Sequence, residues 1–480
     1  MCSFLFSRTR RRFDDALLEE ANFFARKRGP DRTSVLRSEG TGGWQIILLH
    51  NLLDMSGNAV AQPLCSGGDG AKLWTLFNGE IYNFKDLAHV DTDTECLAPA
   101  FRRHGITLGR ELDGEFAVAL YDETANALYV FTDPFLTKPL YFGTSGVEGE
   151  LGVATCASTL RALGLAQIEL AQPNAAYQIR FHERGFEIER HERVWPFDLN
   201  QHKESYFDWA RIFVRAVEKR AMHGAHEPMV FLSSGYDSGG ICLALNSLAI
   251  PYSTYTICAG EEMQVLQKRL EINRAASCRK AVLVSGLSAA DRARMQRDIS
   301  ESVEPFRYVH EDSPGQVIDI HDDSGAIGGN FIAGQARSGG ELVNLSGSGA
   351  DEIMSDYGFA GRKFCYHSQF GGLFPEDLAE LFPWKKFYGD TQRSYLFKEE
   401  YILGRHGLEG RYPYLDKFLV QEFLWLTPKL KNLTYKAPLA ALFQSSGYPF
   451  EPLRKRGFGP MIPQPLDASL SGGPPTVRVV

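Results

Sequence analysis

The sequence lacks the features that mark membrane and secreted proteins. Across its 480 residues, no apolar run reaches the roughly 18 residues that a membrane-spanning helix needs. Near the start, residues 4–6 are too short for the apolar core of a secretory signal peptide, and polar and charged residues follow them. We therefore expect a protein with neither a membrane span nor a signal peptide.

Paired cysteines and an excess of positive charge are also missing. The eight cysteines form no C-x-x-C pair and no spacing typical of a metal site, which suits a reducing cytoplasm with most cysteines buried. The formal net charge of −8 argues against a nucleic-acid partner. We interpret the one local basic cluster, residues 8–12, as a solvated turn.

The patterns that are present divide the chain in two. Its length exceeds one ordinary hydrophobic core, so two large domains are expected. The first half alternates strand patterns with turn residues, as in antiparallel sheets, and carries two helical patterns. The strand patterns lie at 44–49, 73–77, 116–121 and 128–131, and the helical patterns at 13–26 and 95–104.

The second half follows a linker at residues 194–198 and has a different character. An amphipathic helix is predicted over 206–222 and a short buried strand over 229–232. Strand and helix patterns then alternate, which indicates a parallel α/β sheet.

Cys2 directly follows the initiator Met1. Removal of Met1 would leave one residue that carries both a thiol and a free α-amine. The α-amine has an ordinary pKa near ~8, so it can accept a proton near neutrality, and a neighbouring base generates the reactive thiolate. A cysteine at this position is therefore a candidate nucleophile, although most cysteines are inert.

Two loops of small residues each follow an apolar stretch in the second half. Residues 232–240 and 345–352 are rich in serine and glycine, and each contains an aspartate. Such loops direct backbone N–H groups at an anion, and the carboxylates suggest a nucleotide with its metal ion. Because the carboxyl ends of parallel strands share one edge of a sheet, the two loops should lie together there.

These pieces belong to an ordered set of motifs. In this order they resemble the motifs of class B, glutamine-dependent asparagine synthetases over roughly residues 1–460. The motifs occupy residues 1–3, 28–31, 77–83, 93–95, 112–117 and 133–141 in the first half, and 232–240, 345–352 and 407–416 in the second.

The resemblance implies a fold that combines α+β and α/β classes. Residues 1–193 would form an N-terminal-nucleophile glutaminase domain, an αββα sandwich, and residues 200–480 an ATP-pyrophosphatase α/β synthetase domain. Ammonia would pass from the first site to the second, where it attacks an acyl-adenylate. The cofactors implied are ATP and Mg²⁺, and the substrates are glutamine and a carboxylate such as aspartate.

The resemblance also assigns roles in the first half. Cys2 would attack the side-chain amide of glutamine, and Asn78 and Gly79 would stabilise the oxyanion that forms. Glu80 and Asp93 would hold the α-amine of glutamine by charge pairing. By residue type alone, the Asn78–Gly79 pair is also typical of a hairpin turn, and we interpret residues 28–31 as a framework turn.

In the second half, the resemblance implies a nucleotide site. Asp237 and Asp351 would bind the metal ion, Ser348 and Asp351 would lie near the acyl-adenylate, and Lys455 would be catalytic by stabilising charge on the phosphate. The implied contacts with pyrophosphate come from Ser233, Gly235, Asp237 and Ser238, and those with the adenosine of ATP come from Leu232, Ile257, Ser346 and Gly347.

Three positions depart from the family pattern. Leu52 stands where an arginine that grips the glutamine carboxylate is expected, and leucine cannot replace a guanidinium. Ser348 replaces a glutamate that organises the adenylate and accepts a proton from ammonia, which serine cannot do as a base. Ser234 replaces a glycine in the first loop.

These departures leave alternatives open. The acceptor is aspartate or another carboxylate, such as a natural-product or sugar acid; a peptide or lactam cyclase and a degenerate scaffold are less favoured. Glu304 is a candidate acceptor contact, and the pair Glu409 and Arg411 is either an internal salt bridge or a substrate contact. A homodimer is left open, and neither a nucleic acid nor a membrane is expected as a partner.

Overall fold

The computed structural model describes residues 1–55, 60–68, 72–309, 315–355, 373–452 and 477–479. Lys455, which the family resemblance makes a catalytic residue, lies outside this part of the chain. The chain divides into two compact units. The first comprises Met1–Pro196, Ser302–Glu304 and Gly404–Gly407, and the second comprises Phe197–Glu301, Pro305–Leu403 and Leu408–Val480. Within the described residues, no helix is both long and apolar enough to span a membrane.

The first unit contains two antiparallel sheets of six strands each. Their orders are β10-β8-β9-β1-β3-β2 and β12-β11-β7-β6-β5-β4. The strands are β1 Ser3–Thr9, β2 Arg32–Glu39, β3 Gln45–Leu52, β4 Leu64–Ser66, β5 Leu73–Ile81, β6 Gly114–Asp122, β7 Ala127–Thr132, β8 Tyr141–Thr144, β9 Leu151–Ala154, β10 Gln167–Leu170, β11 Ala175–Phe181 and β12 Phe186–Glu192. The helices are α1 Asp15–Ala21, α2 Phe84–Leu87, α3 Asp93–His104, α4 Leu108–Glu111 and α5 Ala157–Ala162.

Each sheet buries one face against helices and the other against its partner sheet. Leu5, Ile47 and Leu49 of the first sheet pack with Leu18 of α1 and Leu160 of α5. In the second sheet, Phe77, Ile81 and Val118 pack with residues of α3, including Leu97. Because β1 is covered on both faces, all seven of its residues are buried. The αββα sandwich is therefore confirmed.

The predicted strands of this unit are present, each slightly longer than its pattern. The helix predicted over 13–26 is shorter, because Asp14 caps α1 by accepting the N–H of Leu17 and the helix ends at Ala21. The chain then forms only a short 3₁₀ turn, Ala25–Lys27. The helix predicted over 95–104 begins two residues earlier, since Thr92 and Glu95 form a capping box.

The basic cluster at residues 8–12 is not simply a solvated turn, so that interpretation was wrong for its first members. Arg8 lies in β1, is only 2% exposed and stacks 3.7 Å from the ring centre of Trp44. Its guanidinium donates to the carbonyls of Gly149 and His182, each at 2.7 Å. The arginine thus closes the end of the sandwich by satisfying buried carbonyl groups.

The second unit is built on a six-stranded sheet of order β19-β18-β13-β14-β15-β20, parallel except for β20. The remaining strands, β16 and β17, form a separate hairpin. The strands are β13 Pro228–Phe231, β14 Tyr252–Ile257, β15 Cys278–Val284, β16 Arg307–Val309, β17 Val317–Asp319, β18 Val343–Leu345, β19 Glu409–Arg411 and β20 Val477–Val479. The helices from here on are α6 Phe207–Ala221, α7 Tyr236–Ser247, α8 Met263–Ala276, α9 Ala289–Ser302, α10 Ser324–Ser338, α11 Ala350–Met354, α12 Lys385–Tyr388, α13 Thr391–Arg405, α14 Lys417–Trp425, α15 Pro428–Lys431 and α16 Ala437–Ser446.

The parallel α/β sheet is thus confirmed, and so are the helix predicted over 206–222 and the strand predicted over 229–232. One boundary differs in a way that matters for the site. The sequence predicts that the helix after β13 starts near Ile241, but α7 begins at Tyr236. Asp237 and Ser238 therefore belong to the first helical turn rather than to the loop.

A buried charge cluster joins α6 to α14 in the second unit. Asp416 accepts from Lys219 at 2.5 Å and from Arg220 at 2.8 Å, and it also caps α14. Burial alone would raise the pKa of Asp416, but the two cations outweigh it and hold that pKa well below its usual range. A carboxyl group with a lowered pKa stabilises the fold above its unfolded pKa of about 3.9 and loses this contribution as the pH falls.

We expect the substitution Asp416→Asn to lower the free energy of unfolding at pH 7 by about 3 kcal/mol, because it leaves the buried Arg220 and the partly buried Lys219 without their carboxylate. Chemical denaturation of wild type and variant measures this loss, and the difference should shrink as the pH falls below about 4, because the Asp416 carboxyl of the unfolded chain then takes up a proton while that of the folded chain stays charged. Asp208→Asn, which alters an exposed ion pair with Lys203, is the control and should change stability little. Equal effects of the two substitutions would contradict the assignment.

Candidate functional site

Cys2 lies immediately before β1 in the first unit and is partly exposed. Its Sγ accepts the N–H of Leu53 at 3.5 Å, while its carbonyl accepts from Nε of Arg28 at 3.3 Å. Met1 is buried, and while it is present the nitrogen of Cys2 belongs to a peptide bond. The predicted pairing of thiol and α-amine in one residue therefore requires the removal of Met1.

Asn78 and Gly79 lie inside β5, so they do not form the hairpin turn that their residue types alone would allow. Asn78 is fully buried, and neither oxygen nor nitrogen of its amide has a hydrogen-bond partner among the residues that the structure describes. Gly79 has φ +136°, and a Cβ there would come within 1.8 Å of the carbonyl oxygen of Glu115. An unpaired buried amide costs free energy, which a ligand oxygen could recover.

The neighbouring carboxylates Glu80 and Asp93 come together as predicted. One oxygen from each lies within 4.8 Å of the other, and Glu80 is buried. Asp93 is the first residue of α3, and its carboxylate accepts from the N–H groups of Ile81 at 3.0 Å and Thr94 at 2.8 Å. Two carboxylates fixed in this way can bind one ammonium group.

A buried histidine ties the two sheets together beside these residues. His50 of β3 pairs with Phe4 of β1, and its Nε2 lies 3.0 Å from the carbonyl oxygen of Phe77, the residue before Asn78. Burial lowers the pKa of His50 to about 4, so the ring is neutral near pH 7 and donates to that carbonyl. The histidine helps to hold the strand that carries Asn78 against the strand that follows Cys2.

Leu52, which stands where the family pattern has an arginine, is a buried residue. The side chain ends β3 and is 8% exposed, so no charge is available there for a substrate carboxylate.

The turn at residues 28–31 is held by backbone contacts. The carbonyl of Leu52 accepts the N–H of Asp31, whose carboxylate in turn accepts the N–H of Asp54 at 2.7 Å. At Gly29 a Cβ would meet the carbonyl oxygen of Asn51 at 2.2 Å. These contacts support the interpretation of residues 28–31 as a framework turn.

In the second unit, a cavity of about 560 Å³ opens at the carboxyl ends of β13, β14 and β18. This is the edge at which the two small-residue loops were predicted to meet. Its volume falls within the range of small-molecule and cofactor sites. Of the predicted nucleotide-site residues, those that line it are Leu232, Ser233, Asp237, Ser238, Ile257, Ser346, Gly347, Ser348 and Asp351. Gly235 is not among the lining residues, and Lys455 lies outside the described part of the chain.

The first loop is held in place by its own serine side chains and by Arg269 of α8. Ser238 Oγ accepts the N–H of Ser233 at 3.0 Å and lies 2.9 Å from its hydroxyl. Arg269, fully buried, donates to the carbonyls of Ser233 and Gly235 at 2.8 and 2.6 Å. The carbonyls thus point toward the arginine, and Ser233 and Ser238 line the cavity at the start of α7, an arrangement that fits a phosphate chain.

Ser234, which replaces the expected glycine, has a clear structural role. Its backbone N–H and its hydroxyl both donate to Oε2 of Glu261 at 2.5 Å, and its Oγ accepts the N–H of Glu262 at 3.0 Å. The serine therefore ties the first loop to the segment that follows β14. This departure from the family pattern stabilises the loop instead of disrupting it.

Asp237 and Asp351, the predicted metal ligands, share one buried cation. Nζ of Lys436 contacts a carboxylate oxygen of Asp237 and lies 2.9 Å from one of Asp351. Burial opposes the charge of Lys436, but the two carboxylates outweigh it and raise its pKa well above the ordinary value. Carboxylate oxygens are the ligands that Mg²⁺ prefers, so this donor set fits a magnesium ion carried by nucleotide phosphates, with Lys436 as a second positive charge.

The second loop is anchored by a glutamate that sequence reasoning missed. Glu399 of α13 accepts the hydroxyl protons of Ser346 and Ser348 on Oε2, at 2.7 and 2.6 Å, and the side-chain amide of Asn344 on Oε1 at 3.1 Å. Burial raises the pKa of Glu399, and the two serine hydroxyls partly oppose the increase. No spacing in the sequence relates α13 to this loop.

Sequence reasoning also missed Lys436, which contacts two cavity aspartates, and one further cavity residue, Gln392. Lys436 has an unusual positive φ of 42° just before α16, and Gln392 of α13 is buried with neither amide atom hydrogen-bonded in the described part of the chain. A buried unpaired amide that lines a cavity is a candidate ligand contact. A generic lysine or glutamine far from a loop motif gives no signal in one sequence.

Two candidates from the sequence lie elsewhere. Glu304 accepts hydrogen bonds from the N–H and hydroxyl of Ser158 in the first unit and does not line the cavity, so it is not supported as an acceptor contact. Glu409 and Arg411 form a buried internal ion pair at 2.6 Å, which decides between the two interpretations of that pair.

Comparison with known proteins finds a different domain family in each half of the chain. A family model described as a glutamine amidotransferase domain matches residues 1–184, and one described as asparagine synthase matches residues 208–391. The second model implies the use of ATP.

Several curated proteins are similar over most of the chain. A Methanocaldococcus jannaschii protein named putative glutamine-hydrolysing asparagine synthetase 1 is 24% identical over 78% of this chain and 68% of its own length. Glutamine-hydrolysing asparagine synthetases 1 and 3 of Bacillus subtilis are 25% and 23% identical, over 72% and 79% of this chain and 56% and 66% of their own lengths.

The two matched domains together support glutamine-dependent amidation of a carboxylate, and the low identities mark the sequence as divergent. The chain therefore joins a glutamine amidotransferase domain to an asparagine synthase domain, which fits a divergent member of the glutamine-hydrolysing asparagine synthetases.

Proposed function

We propose that the chain hydrolyses glutamine at Cys2 and uses the ammonia to convert aspartate into asparagine through an aspartyl-adenylate. Residues 1–193 would form the glutaminase domain and residues 200–480 the synthetase domain. The observation that carries the proposal is the cavity of the second unit, because both small-residue loops, with Asp237 and Asp351, line one nucleotide-sized space. The first unit contributes a cysteine and an unpaired buried amide of the kind that glutamine hydrolysis needs.

In the first unit, the thiol of Cys2 would attack the amide carbon of glutamine. The S–C bond forms, the α-amine of Cys2 takes the thiol proton and returns it to the departing nitrogen, and ammonia leaves. The side-chain amide of Asn78 and the N–H of Gly79 would donate to the oxyanion. Glu80 and Asp93 would hold the α-amine of the substrate, and water then releases glutamate from the thioester.

In the second unit, an oxygen of the acceptor carboxylate would attack the α-phosphorus of ATP and release pyrophosphate. Ser233, Ser238 and the start of α7 would bind the phosphates, and Asp237 and Asp351 would hold Mg²⁺, which neutralises phosphate charge when bound. Lys436 would supply a further fixed positive charge beside the same oxygens. Ammonia then attacks the adenylate carbon and AMP leaves.

The test is an incubation of the full chain with ATP, MgCl₂, glutamine and aspartate, with pyrophosphate, AMP, glutamate and asparagine measured together. We expect all four in equal amounts once the reaction is coupled. The same assay with other amino and dicarboxylic acids covers the alternative acceptors. Pyrophosphate release with another acid but not with aspartate would overturn the assignment of asparagine as the product, while the assignment of the chain as a ligase would stand.

The unpaired amide of Asn78 leads to a separate prediction. Replacing Asn78 with leucine, of similar size and without polar atoms, should lower glutaminase turnover about 100-fold or more, because one oxyanion donor is lost. The free energy of unfolding should stay equal or rise, since an unsatisfied buried amide is removed. Glutamate release and chemical denaturation measure the two effects.

His50→Leu is the contrasting variant for this test, because it removes a buried side chain that does have a partner, the carbonyl of Phe77. That substitution should lower stability. A similar loss of stability in Asn78→Leu would show that the asparagine has a structural role instead.

A further inference from the structure

We propose that Ser348 and Glu399 form a proton relay that deprotonates the amine as it attacks the adenylate. This inference rests on the proposed function and assigns a catalytic role to a residue outside the loop motifs. Ser348 would contact the attacking nitrogen, and Glu399 would act through its hydroxyl. Together they would supply the proton acceptor that Ser348 alone cannot provide.

The hydrogen bond that the relay needs is present in the structure. The hydroxyl of Ser348 donates to Oε2 of Glu399 at 2.6 Å, and both residues line the cavity next to Asp351. Ser346 and Asn344 hold the same carboxylate from two further directions, so its position is fixed on both oxygens. A relay needs this kind of fixed donor and acceptor pair within hydrogen-bond distance.

The reaction requires a proton acceptor at this point. When ammonia attacks, the C–N bond forms and the nitrogen becomes positively charged. One proton must leave it before the C–O bond to AMP breaks, because otherwise ammonia is the better leaving group. In the relay, the nitrogen gives a proton to Oγ of Ser348 while Oγ gives its own proton to Glu399. AMP then departs with its bonding electron pair, and the proton returns to solvent.

Three other cavity carboxylates, Asp237, Asp323 and Asp351, are less suited to take that proton because each pairs with a lysine. Asp237 and Asp351 share the ammonium group of Lys436, which stabilises their charged forms. Asp323 pairs with Lys398 at 3.1 Å and accepts from Tyr308. Glu399 has only neutral hydrogen-bond donors in the described part of the chain. Burial also raises its pKa, which makes it a stronger base than an ordinary carboxylate.

The next residue on α13 provides an internal control. Glu400 is fully buried, accepts the hydroxyl of Tyr412 at 2.7 Å and does not line the cavity. Two adjacent glutamates of one helix therefore face two environments. A substitution of Glu400 by glutamine keeps an oxygen for Tyr412 and leaves both groups of the relay in place, and it removes a smaller cause of the raised pKa of Glu399 than burial.

The experiment compares wild type, Glu399→Gln, Ser348→Ala and Glu400→Gln in two reactions. The first is acid-dependent exchange of pyrophosphate into ATP, which reports adenylation, with aspartate and a panel of other amino and dicarboxylic acids. The second is product formation from the active acid with ammonium chloride or with hydroxylamine. Hydroxylamine is a weaker base than ammonia, so its adduct loses a proton to water more readily.

We expect Glu399→Gln and Ser348→Ala to keep pyrophosphate exchange but to lower ammonia-driven product formation about 100-fold, the usual size of a general-base contribution. The loss with hydroxylamine should be at least about tenfold smaller, whereas Glu400→Gln should match wild type in both reactions. Unchanged ammonia-driven synthesis in Glu399→Gln would overturn the relay. So would loss of exchange, or equal losses with both nucleophiles, since either would indicate a positioning role. Wild type that shows no exchange with any acid would overturn the proposed function and the relay with it.

Discussion

Replacing Cys2 with alanine is expected to abolish glutamine-driven product formation, to below about one-thousandth of the wild-type rate, because no other group can form the thioester. Ammonia-driven formation should stay at the wild-type rate, since the reactions of the second unit do not use the thiol. Parallel assays with glutamine and with ammonium chloride, each followed by pyrophosphate release, measure the two rates. This is the largest separation between two activities that the proposed function predicts.

The matched control is Cys65→Ala, which removes an exposed thiol on β4. It should leave both rates unchanged. Intact-mass measurement of the purified wild type completes the test, because the proposed chemistry requires that Met1 be absent from active protein. If Cys2→Ala retains glutamine-driven synthesis, or if fully active protein retains Met1, Cys2 is not the nucleophile.

The order of the elements could be read from the sequence because their signals are local. Alternation within the strands, the helical spacing of apolar residues and the small residues of both loops act over a few positions. These signals predicted the antiparallel sheets, the parallel sheet and the edge at which Ser233, Asp237 and Ser346 meet, whereas the sandwich was implied by the family resemblance. The boundary of α7 was missed because Tyr236 begins a helix despite the glycine before it and the two glycines at 239 and 240. Packing decided it.

Interactions between distant segments could not be predicted. Arg8 was interpreted as solvated because its neighbours are basic, whereas carbonyls more than 140 residues away bind it in the interior. Glu399 and Lys436 complete the site from helical segments about 50 and 200 residues away from the loops that they contact. A motif search places a residue by its sequence neighbours, and these side chains act through spatial neighbours.

Distant residues also compensate for two of the three departures from the family pattern. At position 348 the loop lost a carboxylate, and the structure offers one from α13 to the serine that took its place. At position 234 the serine that replaces glycine gained a partner in Glu261. At position 52 a buried leucine offers no such compensation. We therefore expect glutamine binding in the first unit to differ more from the family pattern than catalysis in the second.

Lys436 allows the second large prediction. Replacing it with methionine should lower the free energy of unfolding by about 3 kcal/mol, because two partly buried carboxylates, Asp237 and Asp351, lose their shared cation. The raised pKa of Lys436 means that its contribution is complete at pH 7 and would be lost only at strongly alkaline pH. Chemical denaturation at pH 7 measures the loss. Lys385→Met, which removes an exposed lysine paired with Asp390, is the control and should change stability little.

The same variant should lower acid-dependent pyrophosphate exchange about 100-fold or more, because a fixed positive charge beside the phosphates is lost. A second substitution separates the charge effect from lost packing. Adding Asp351→Asn to Lys436→Met removes one of the two unbalanced carboxylates, so it should restore about 1 kcal/mol or more of stability, the coupling expected within one charge network. Exchange should not recover, since the double variant also lacks a metal-binding carboxylate. If Asp351→Asn destabilises the protein equally with and without Lys436, the three side chains do not act as one charge cluster, and Lys436 serves only to fill space.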